Sequence, residues 1–166
     1  MFKIFPETPS DVPEIEVFLN QSFGPERSIR TAYKIRQGLS PIEPLKLVAK
    51  SEDGQLLASI RYWPIKIGEA HNALLLGPIV VRSDKQGAGI GVALIEHSLQ
   101  KAKQLGYDKV VLIGDPEYYE RFGFVNAIDL GIEAPGPVER HRLLIAALQN
   151  QPLDNVSGLI SGDHTA

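Results

Sequence analysis

Residues 84–95 read DKQGAGIGVALI, with glycines at alternate positions directly before an apolar run. Inside a helix each glycine costs about 1 kcal/mol relative to alanine, so a cluster at a helix start needs a compensating gain. Backbone amides that converge at a helix N-terminus bind anions, and a Cβ on such a loop would hold the anion away from the amides. The stretch therefore predicts an anion-binding loop followed by a helix that ends near residue 105; the alternative is a flexible turn packed close to a neighbouring element.

The spacing of this loop excludes the two best-known nucleotide-binding patterns. A Walker loop requires Gly-Lys followed by Ser or Thr, and the segment 89–92 contains no lysine. The dinucleotide fingerprint requires glycine at its first, third and sixth positions, whereas Val92 stands at the sixth position here. The predicted anion is therefore not a nucleotide phosphate bound in either of these two ways.

The composition is typical of one cytoplasmic domain. We treat residues 1–166 as a single domain with an irregular tail from about residue 152, because this length supports one well-buried core. Cysteine is absent, which excludes disulfides and a cysteine nucleophile and fits a cytoplasmic location without a metal site. The net charge of -3 argues against nucleic acid or an anionic membrane as a partner. No apolar run approaches the length of about 18 residues that a membrane span needs.

Hydrophobic periodicity predicts strands that alternate with helices, and hence an α/β (α+β) fold. The segment HRLLIAALQ, residues 141–149, fits either a helix or a strand by periodicity, and we predict a strand because a long loop precedes it. In chain order the predicted elements are strand 2–5, helices 10–23 and 25–38, strands 44–50, 55–67 and 73–81, helix 92–105, strand 108–114, helix 116–123, and strands 124–128 and 141–149.

Gly77-Pro78 interrupts the apolar strand ALLLGPIVV at residues 73–81. Proline cannot donate to a sheet ladder, so this pair predicts a bulge or a break in strand pairing. A bulge would separate the strand from its neighbour and leave backbone N–H and C=O groups free for a ligand. The alternative is an ordinary edge strand or strand end.

Three segments together resemble one family. The loop matches the pattern Q/R-x-x-G-x-G/A, ALLLGPIVV is similar to a bulged fourth strand, and GDPEYYERFGF is similar to a tyrosine-containing fourth helix. These segments resemble the GNAT superfamily of acetyl-CoA-dependent N-acetyltransferases, and the resemblance covers about residues 1–148. It implies a mixed, largely antiparallel twisted sheet of six to seven strands with about four helices and a splayed, bulged central strand.

The resemblance also implies a set of coenzyme-binding residues. The loop amides would hold the pyrophosphate of acetyl-CoA, and the backbone of the bulged strand would pair with the pantetheine arm. Many family members have arginine where this chain has Gln86, so we expect the pyrophosphate to depend more on amides and on Arg82 or Lys85. The implied residues are Ile79, Val80, Val81, Gln86, Gly87, Ala88, Gly89, Ile90, Gly91 and Val92.

The resemblance implies that Tyr119 is the general acid, because it lies four residues before Gly123; the alternative is a core aromatic residue whose hydroxyl has a hydrogen-bond partner. A tyrosine hydroxyl can protonate the thiolate as it leaves, and a backbone N–H of the splayed strand can polarise the thioester carbonyl. Tyr118 is adjacent, and an error of one residue in the helix register would exchange the two tyrosines.

The general base is left open by the sequence. The amine acceptor must lose a proton, which costs roughly 4–5 kcal/mol at neutral pH for a lysine-like amine. The bulged strand carries no acidic residue, unlike that of some family members. The candidates are Glu69 and His71 before this strand, Asp115 after the next strand, and an ordered water.

The acceptor is also left open. Arg27, Arg30, Lys34 and Arg36 make the second predicted helix basic, which fits either an anionic acceptor or an ordinary solvated face. The side chains of the segment 61–63 either line the acceptor groove or pack in the core. We predict an N-acetyltransferase that acts on an amine; a non-catalytic acyl-CoA-binding module is the alternative. The C-terminal strand offers an edge for a homodimer, although nothing in the sequence requires one.

Overall fold

The chain forms nine strands and four α-helices in the computed structural model, which describes all residues from Met1 to Ala166. The helices are α1 (Val12–Phe23), α2 (Thr31–Arg36), α3 (Ile90–Gln104) and α4 (Pro116–Tyr119). The strands are β1 (Phe2–Pro6), β2 (Leu47–Ser51), β3 (Leu56–Ile67), β4 (His71–Val81), β5 (Lys109–Ile113), β6 (Val125–Asn126), β7 (Ile132–Glu133), β8 (Leu143–Ala147) and β9 (Gly158–Gly162).

The strands form one open mixed sheet in the order β1-β2-β3-β4-β5-β8-β6. The pairs along this path are antiparallel, except that β4 and β5 run parallel. Strand β9 pairs with β3 and β7 beside this path. The predicted fold class, with its mixed, largely antiparallel sheet and about four helices, is confirmed.

Helices cover both faces of the sheet. Leu94 and Ile95 of α3 are fully buried against one face, in a core shared with β3, β4 and β5. On α1, Ile15, Phe18 and Leu19 lie three and four residues apart on one side of the helix and are buried against the other face of the sheet. The periodic segments therefore fold as predicted because each has an apolar face that the sheet can bury.

The C-terminal tail is not irregular throughout, contrary to the prediction. Gly158–Gly162 forms β9, which pairs with the end of β3, and Ile160 is fully buried in a second core. The segment is too short for a clear period, and its strand conformation depends on the edge of β3 that it pairs with. The prediction failed because that partner lies about ninety residues earlier in the chain.

The predicted helix 25–38 is also wrong in extent. A short 3-10 turn at Arg27–Ile29 is separated from α2 by Arg30, whose backbone is extended. The Thr31 hydroxyl then donates a hydrogen bond to the carbonyl of Pro137, which fixes the start of α2 against a distant loop. The predicted strand 124–128 is likewise reduced to the two residues of β6.

The bulge predicted at Gly77-Pro78 is present. These two residues of β4 stand opposite the single residue Arg61 of β3, so the register between the strands shifts there. Pairing between β4 and β5 ends just before the bulge, at the pair Leu75 and Val111. The last part of β4 is therefore bonded to β3 on one side and is free of strand pairing on the side of β5.

Candidate active site

The glycine loop leads directly into α3 and is open to solvent. Gly87 and Gly89 have φ angles of 84° and 81°, in the left-handed region that glycine adopts without a Cβ penalty. No atom lies within 4 Å of the position that a Cβ would take at either residue. The space in front of this backbone is therefore available to a ligand, and a side chain at either position would project into it.

Gly91 differs from these two glycines, because side chains of neighbouring elements lie in van der Waals contact with the position that a Cβ would take. It lies in the first turn of α3 with ordinary helical geometry. A Cβ there would lie 3.4 Å from Cγ2 of Val81 and 3.5 Å from the hydroxyl of Tyr118. The helix start, the end of β4 and α4 thus surround a common space.

That space is a cavity of about 260 Å³ between β4, α3 and the end of α1. The bulged strand and the loop contribute predicted residues to its wall, whereas the contributions of α1 and α4 were not predicted. The lining residues are Ser22, Phe23, Ile79, Val80, Val81, Gln86, Gly91, Ile95 and Tyr118.

Other predicted loop residues lie outside this lining. Gly87, Ala88 and Gly89 form the exposed turn, and Val92 lies half-buried in the first turn of α3. The Ile90 side chain is buried in the core, so only its backbone faces the loop. Each of these positions can therefore offer a ligand its amide rather than its side chain.

The charges beside the loop differ in their availability. Arg82 forms an ion pair with Asp84 at 3.0 Å, whereas Lys85 is exposed and makes no ion pair. The side-chain amide of Gln86 lies 3.4 Å from the carbonyl oxygen of Val81, a long contact that holds the loop near the end of β4. Lys85 is therefore the cation beside the loop that is free to meet an anion.

Tyr119 lies where β4 and β5 separate. Its ring fits against Gly114, directly after β5, and a Cβ on that glycine would lie 2.6 Å from Cε2 of the ring. The ring also packs edge-on against Phe124, with 5.8 Å between the centroids. Burial raises the pKa of Tyr119 to about 12, with Tyr118 as a second cause. The hydroxyl therefore keeps its proton at neutral pH.

The two adjacent tyrosines point to different surroundings. Tyr118 faces the cavity and the start of α3, and its ring lies under the guanidinium of Arg121. Tyr119 faces Gly114 and the core beneath β4 and β5. The ring planes differ by 86°, so a shift of one residue in register would change which tyrosine reaches which surface.

The candidate bases are dispersed. Glu69 and His71 lie at the far end of the β3–β4 hairpin, and six residues of strand, about 20 Å, separate His71 from the bulge. The ring of His71 contacts the carbonyl of Asn155 instead. Asp115 lies near Tyr119, but its carboxylate accepts a hydrogen bond from the Glu117 amide and caps α4. Neither Glu69 nor His71 is placed to act at the bulge.

A cluster of aromatic and basic side chains lies on the other side of the bulge. The indole of Trp63 donates a hydrogen bond to the carbonyl of Gly77. The guanidinium of Arg36 lies 3.8 Å from the ring centroid of Tyr33 and 5.5 Å from that of Trp63. Burial lowers the pKa of Arg36 to about 10, which leaves it charged at neutral pH. The sequence placed Arg36 on a basic helix but gave no sign of this packing.

Core packing, one of the two roles that the sequence left open for the segment 61–63, is complete for Tyr62 only. Tyr62 is fully buried on the α3 face, where its hydroxyl bonds to Ser98 at 2.7 Å. Arg61 and Trp63 alternate with it and face the other side, where Arg61 forms a bidentate ion pair with Glu7. Because successive side chains of a strand point to opposite faces, Tyr62 lies in the core, whereas Arg61 and Trp63 lie on the opposite face of the sheet.

None of the helices is both long enough and apolar enough to cross a lipid bilayer.

Comparisons with known proteins identify the family of the chain. Residues 12–124 match the model of the family described as the acetyltransferase (GNAT) family. The chain is 28% identical over 155 residues to the uncharacterized N-acetyltransferase YhbS of Escherichia coli K12, covering 93% of this chain and 92% of that protein.

Solved structures of related proteins share the fold. The crystal structure of YhbS from Escherichia coli in complex with CoA has a TM-score of 0.82 at 25% identity, over 98% of this chain and 89% of that one. A GNAT family acetyltransferase from Brucella melitensis in complex with acetyl-CoA has a TM-score of 0.59 at 29% identity, over 87% of this chain and 94% of that one. The chain therefore belongs to the acetyltransferase (GNAT) family, whose members use acetyl-CoA as co-substrate, and the family, enzyme class and cofactor predicted from the sequence are confirmed.

Proposed function

We propose that residues 1–166 form one N-acetyltransferase domain that moves the acetyl group of acetyl-CoA to a primary amine by direct attack in a ternary complex. The observation that carries this proposal is the separation of β4 from β5 after the pair Leu75 and Val111. The free edge of β4 lies between the glycine loop on one side and Tyr119 on the other. An anion site, an exposed strand edge and a protonated hydroxyl are thereby arranged along one path.

The loop and the free strand edge fit the two ends of the coenzyme's long arm. The amides of residues 86–91 hold the pyrophosphate at the start of α3, and Lys85 adds the charge that Gln86 lacks. The backbone of Ile79 and Val81 pairs with the amides of the pantetheine arm, in the manner of an added strand. Ile79, Val80 and Val81 line the cavity between β4 and α3 together with Gln86 and Gly91. This shared lining supports the placement.

Tyr119 acts as the general acid. Acetyl-CoA supplies the acetyl group as a thioester, so the departing sulfur needs a proton. The hydroxyl of Tyr119 keeps its proton at neutral pH because burial raises its pKa to about 12. A backbone N–H at the splayed part of β4 polarises the carbonyl, because strand pairing leaves that edge free. No cysteine is present to form an acyl-enzyme, so the amine attacks directly.

The amine loses its proton to water rather than to a fixed side chain. Glu69 and His71 lie at the wrong end of β4, and Asp115 holds the amide of Glu117. The partners are therefore acetyl-CoA and an amine acceptor; the cytoplasmic location and the homodimer stay predictions.

The test combines binding and turnover. Calorimetric titration of acetyl-CoA and CoA into the wild-type protein is expected to give saturable binding with one site per chain. A thiol-release assay against a library of primary amines is then expected to show transfer to at least one class of amine. Absence of coenzyme binding by a folded protein would overturn the proposal. Binding without transfer to any amine would favour the non-catalytic acyl-CoA-binding module.

A further inference from the structure

A buried guanidinium beside the bulge has no acidic partner. Arg36 is only 7% exposed, and its Nε donates to the carbonyl of Ala32 at 3.1 Å. No ion pair within the chain involves its terminal nitrogens, and its polar side-chain contact is with Tyr33. A buried charge without a partner is strongly unfavourable, so proteins rarely keep one that has no use. The side chain is therefore held ready for an anion that the chain does not supply.

The other cations around this position are already paired or solvated. Arg27 forms an ion pair with Glu16, and Arg61 is held by both oxygens of Glu7. Lys34, on the same helix as Arg36, is exposed to solvent. Among these basic residues, Arg36 is thus the one buried cation whose charge is not neutralised.

A second donor next to Arg36 also lacks an acceptor. The hydroxyl of Tyr33 is buried and makes no hydrogen bond. The ring of the same residue lies 3.8 Å from the guanidinium carbon of Arg36. Buried polar groups in folded proteins nearly always have a partner, so a buried hydroxyl beside a guanidinium that has no acidic partner indicates a missing acceptor. An anionic group bound there would satisfy both donors.

The position of this donor pair relative to the bulge fits a small acceptor. The Trp63 indole bonds to the carbonyl of Gly77, while its ring centroid lies 5.5 Å from the guanidinium carbon of Arg36. A group held by Arg36 therefore lies about one indole ring away from the strand edge at which we place the acetyl transfer. An anionic group and an amine of one small molecule can span that separation.

We infer that the acceptor is a small amine that carries a carboxylate, and that Arg36 and Tyr33 bind this carboxylate. The inference rests on the proposed function and names its substrate class. A guanidinium with an aromatic ring on its face presents its N–H groups at the edge, where a planar carboxylate can accept two of them. Trp63 sets the distance between the bound carboxylate and the amine at the bulge.

The first experiment compares matched acceptors. Transfer is measured with common α-amino acids and with their amides, which are uncharged at the carboxyl position and have a less basic amine. Intrinsic reactivity thus favours the amides, so a preference for the acids reports recognition of the carboxylate. We expect kcat/KM for the acids to exceed that for the amides by about tenfold or more. Taurine and 2-aminoethylphosphonate distinguish a carboxylate site from a sulfonate or phosphonate site.

Variants on α2 test the role of Arg36. We expect Arg36→Met to raise KM for the acids about tenfold or more and to leave the amides within about twofold. Arg36→Lys keeps the charge and is expected to fall between the two, since it loses the planar fork. Lys34→Met is the matched control, because it removes an exposed charge from the same helix. Its kinetics are expected to equal those of the wild type for both series.

A binding experiment gives a readout that does not depend on turnover. Trp63 is the only tryptophan of the chain, so its fluorescence reports on the neighbouring Arg36. In the presence of CoA, the amino acids are expected to change this fluorescence saturably in the wild type and in Lys34→Met. The change is expected to be absent with the amides and in Arg36→Met. Thermal unfolding of each variant confirms that the folded protein is being compared.

The outcomes separate this inference from the proposed function. Equal use of acids and amides, or a stronger response to the phosphonate, overturns the carboxylate site while acetyl transfer still stands. If acetyl-CoA binds and no amine of these series or of the wider library is acetylated, the proposed function fails. The fluorescence titration then decides the inference alone: a saturable response to amino acids that needs Arg36 supports it, and its absence overturns it.

Discussion

Gly114 and Tyr119 are fitted to each other at the point where the two parallel strands separate. A Cβ on Gly114 would lie 2.6 Å from Cε2 of the tyrosine ring and 3.0 Å from Cδ1 of Leu112. The ring cannot retreat easily, because Phe122 and Phe124 pack against it. The position of the proposed general acid thus depends on the absence of a side chain at residue 114.

Gly114→Ala is therefore expected to displace Tyr119. Overpacking of this kind costs about 1–3 kcal/mol of unfolding free energy. Because a proton donor that moves by even about 1 Å loses efficiency, we expect kcat to fall about tenfold or more. Steady-state kinetics and calorimetric titration of CoA measure the two effects. Weakened CoA binding with an unchanged kcat would contradict the role of this contact in positioning Tyr119.

Substitution of the two adjacent tyrosines separates their roles. Tyr119→Phe removes only the proposed acid, so we expect kcat to fall about 100-fold or more with CoA affinity within about twofold of wild type. Tyr118→Phe is the matched control, because that hydroxyl faces the cavity beside Gly91. It is expected to weaken CoA binding and to leave kcat close to wild type. The reverse pattern would assign the acid to Tyr118.

The pH dependence follows from the raised pKa of Tyr119. Burial disfavours the tyrosinate and raises the pKa of the hydroxyl from its ordinary value of 10.0 to about 12. We expect no loss of kcat through this group between about pH 7 and about pH 10. The unfolded chain releases this proton first, so the associated stability is lost as pH rises from about 10 to about 12.

Alkaline unfolding of Tyr119→Phe provides the check on this sign. Removal of the group should make the unfolding free energy less steep with pH above about 10 than in the wild type. Ultraviolet titration counts the tyrosines that ionise below about pH 11, and this number should be the same in Tyr119→Phe as in the wild type. An alkaline limb of kcat near pH 9 that disappears in this variant would show that the pKa is not raised.

The glycine loop can be tested against a glycine of the same geometry. Gly89→Ala is expected to weaken CoA binding about tenfold or more, because the methyl group projects toward the bound anion and the amides shift. Gly54, in the turn between β2 and β3, has a φ of 85° and equally open surroundings. Gly54→Ala should lose the same stability, roughly 1–2 kcal/mol, and should bind CoA as the wild type does. Equal binding by both variants would place the coenzyme elsewhere.

Asp115 provides a test of the water-mediated route. Asn is as good a helix cap as Asp, so Asp115→Asn should keep both the stability and kcat close to wild type. Asp115→Ala removes the cap of α4 and should cost about 1 kcal/mol of unfolding free energy. A large loss of kcat in the Asn variant, with its stability retained, would identify Asp115 as the base instead of water.

The sequence by itself determined the elements with a strong period and the sites with a local rule. The stripe on α1, the apolar strands and the glycines before α3 follow from spacing that is visible within about fifteen residues. The bulge was predictable because proline cannot donate to a ladder, whatever its neighbours are. Membership of the acetyltransferase family followed from three such local segments.

Tertiary structure decided what depends on distant partners. Strand β9 exists because the edge of β3 is available to it, and α2 begins where Thr31 bonds to Pro137. The pairing of Tyr119 with Gly114 arises because α4 folds back onto the end of β5.

The surroundings of Arg36 show most clearly what local patterns determine and what long-range packing decides. The sequence could identify Arg36 only as one of several basic residues, since charge is a local property. Its burial, its contact with Tyr33 and Trp63, and its lack of an acidic partner arise only when α2 packs on β3. Local patterns thus determined which backbone elements form, whereas long-range packing decided which side chains meet at the site.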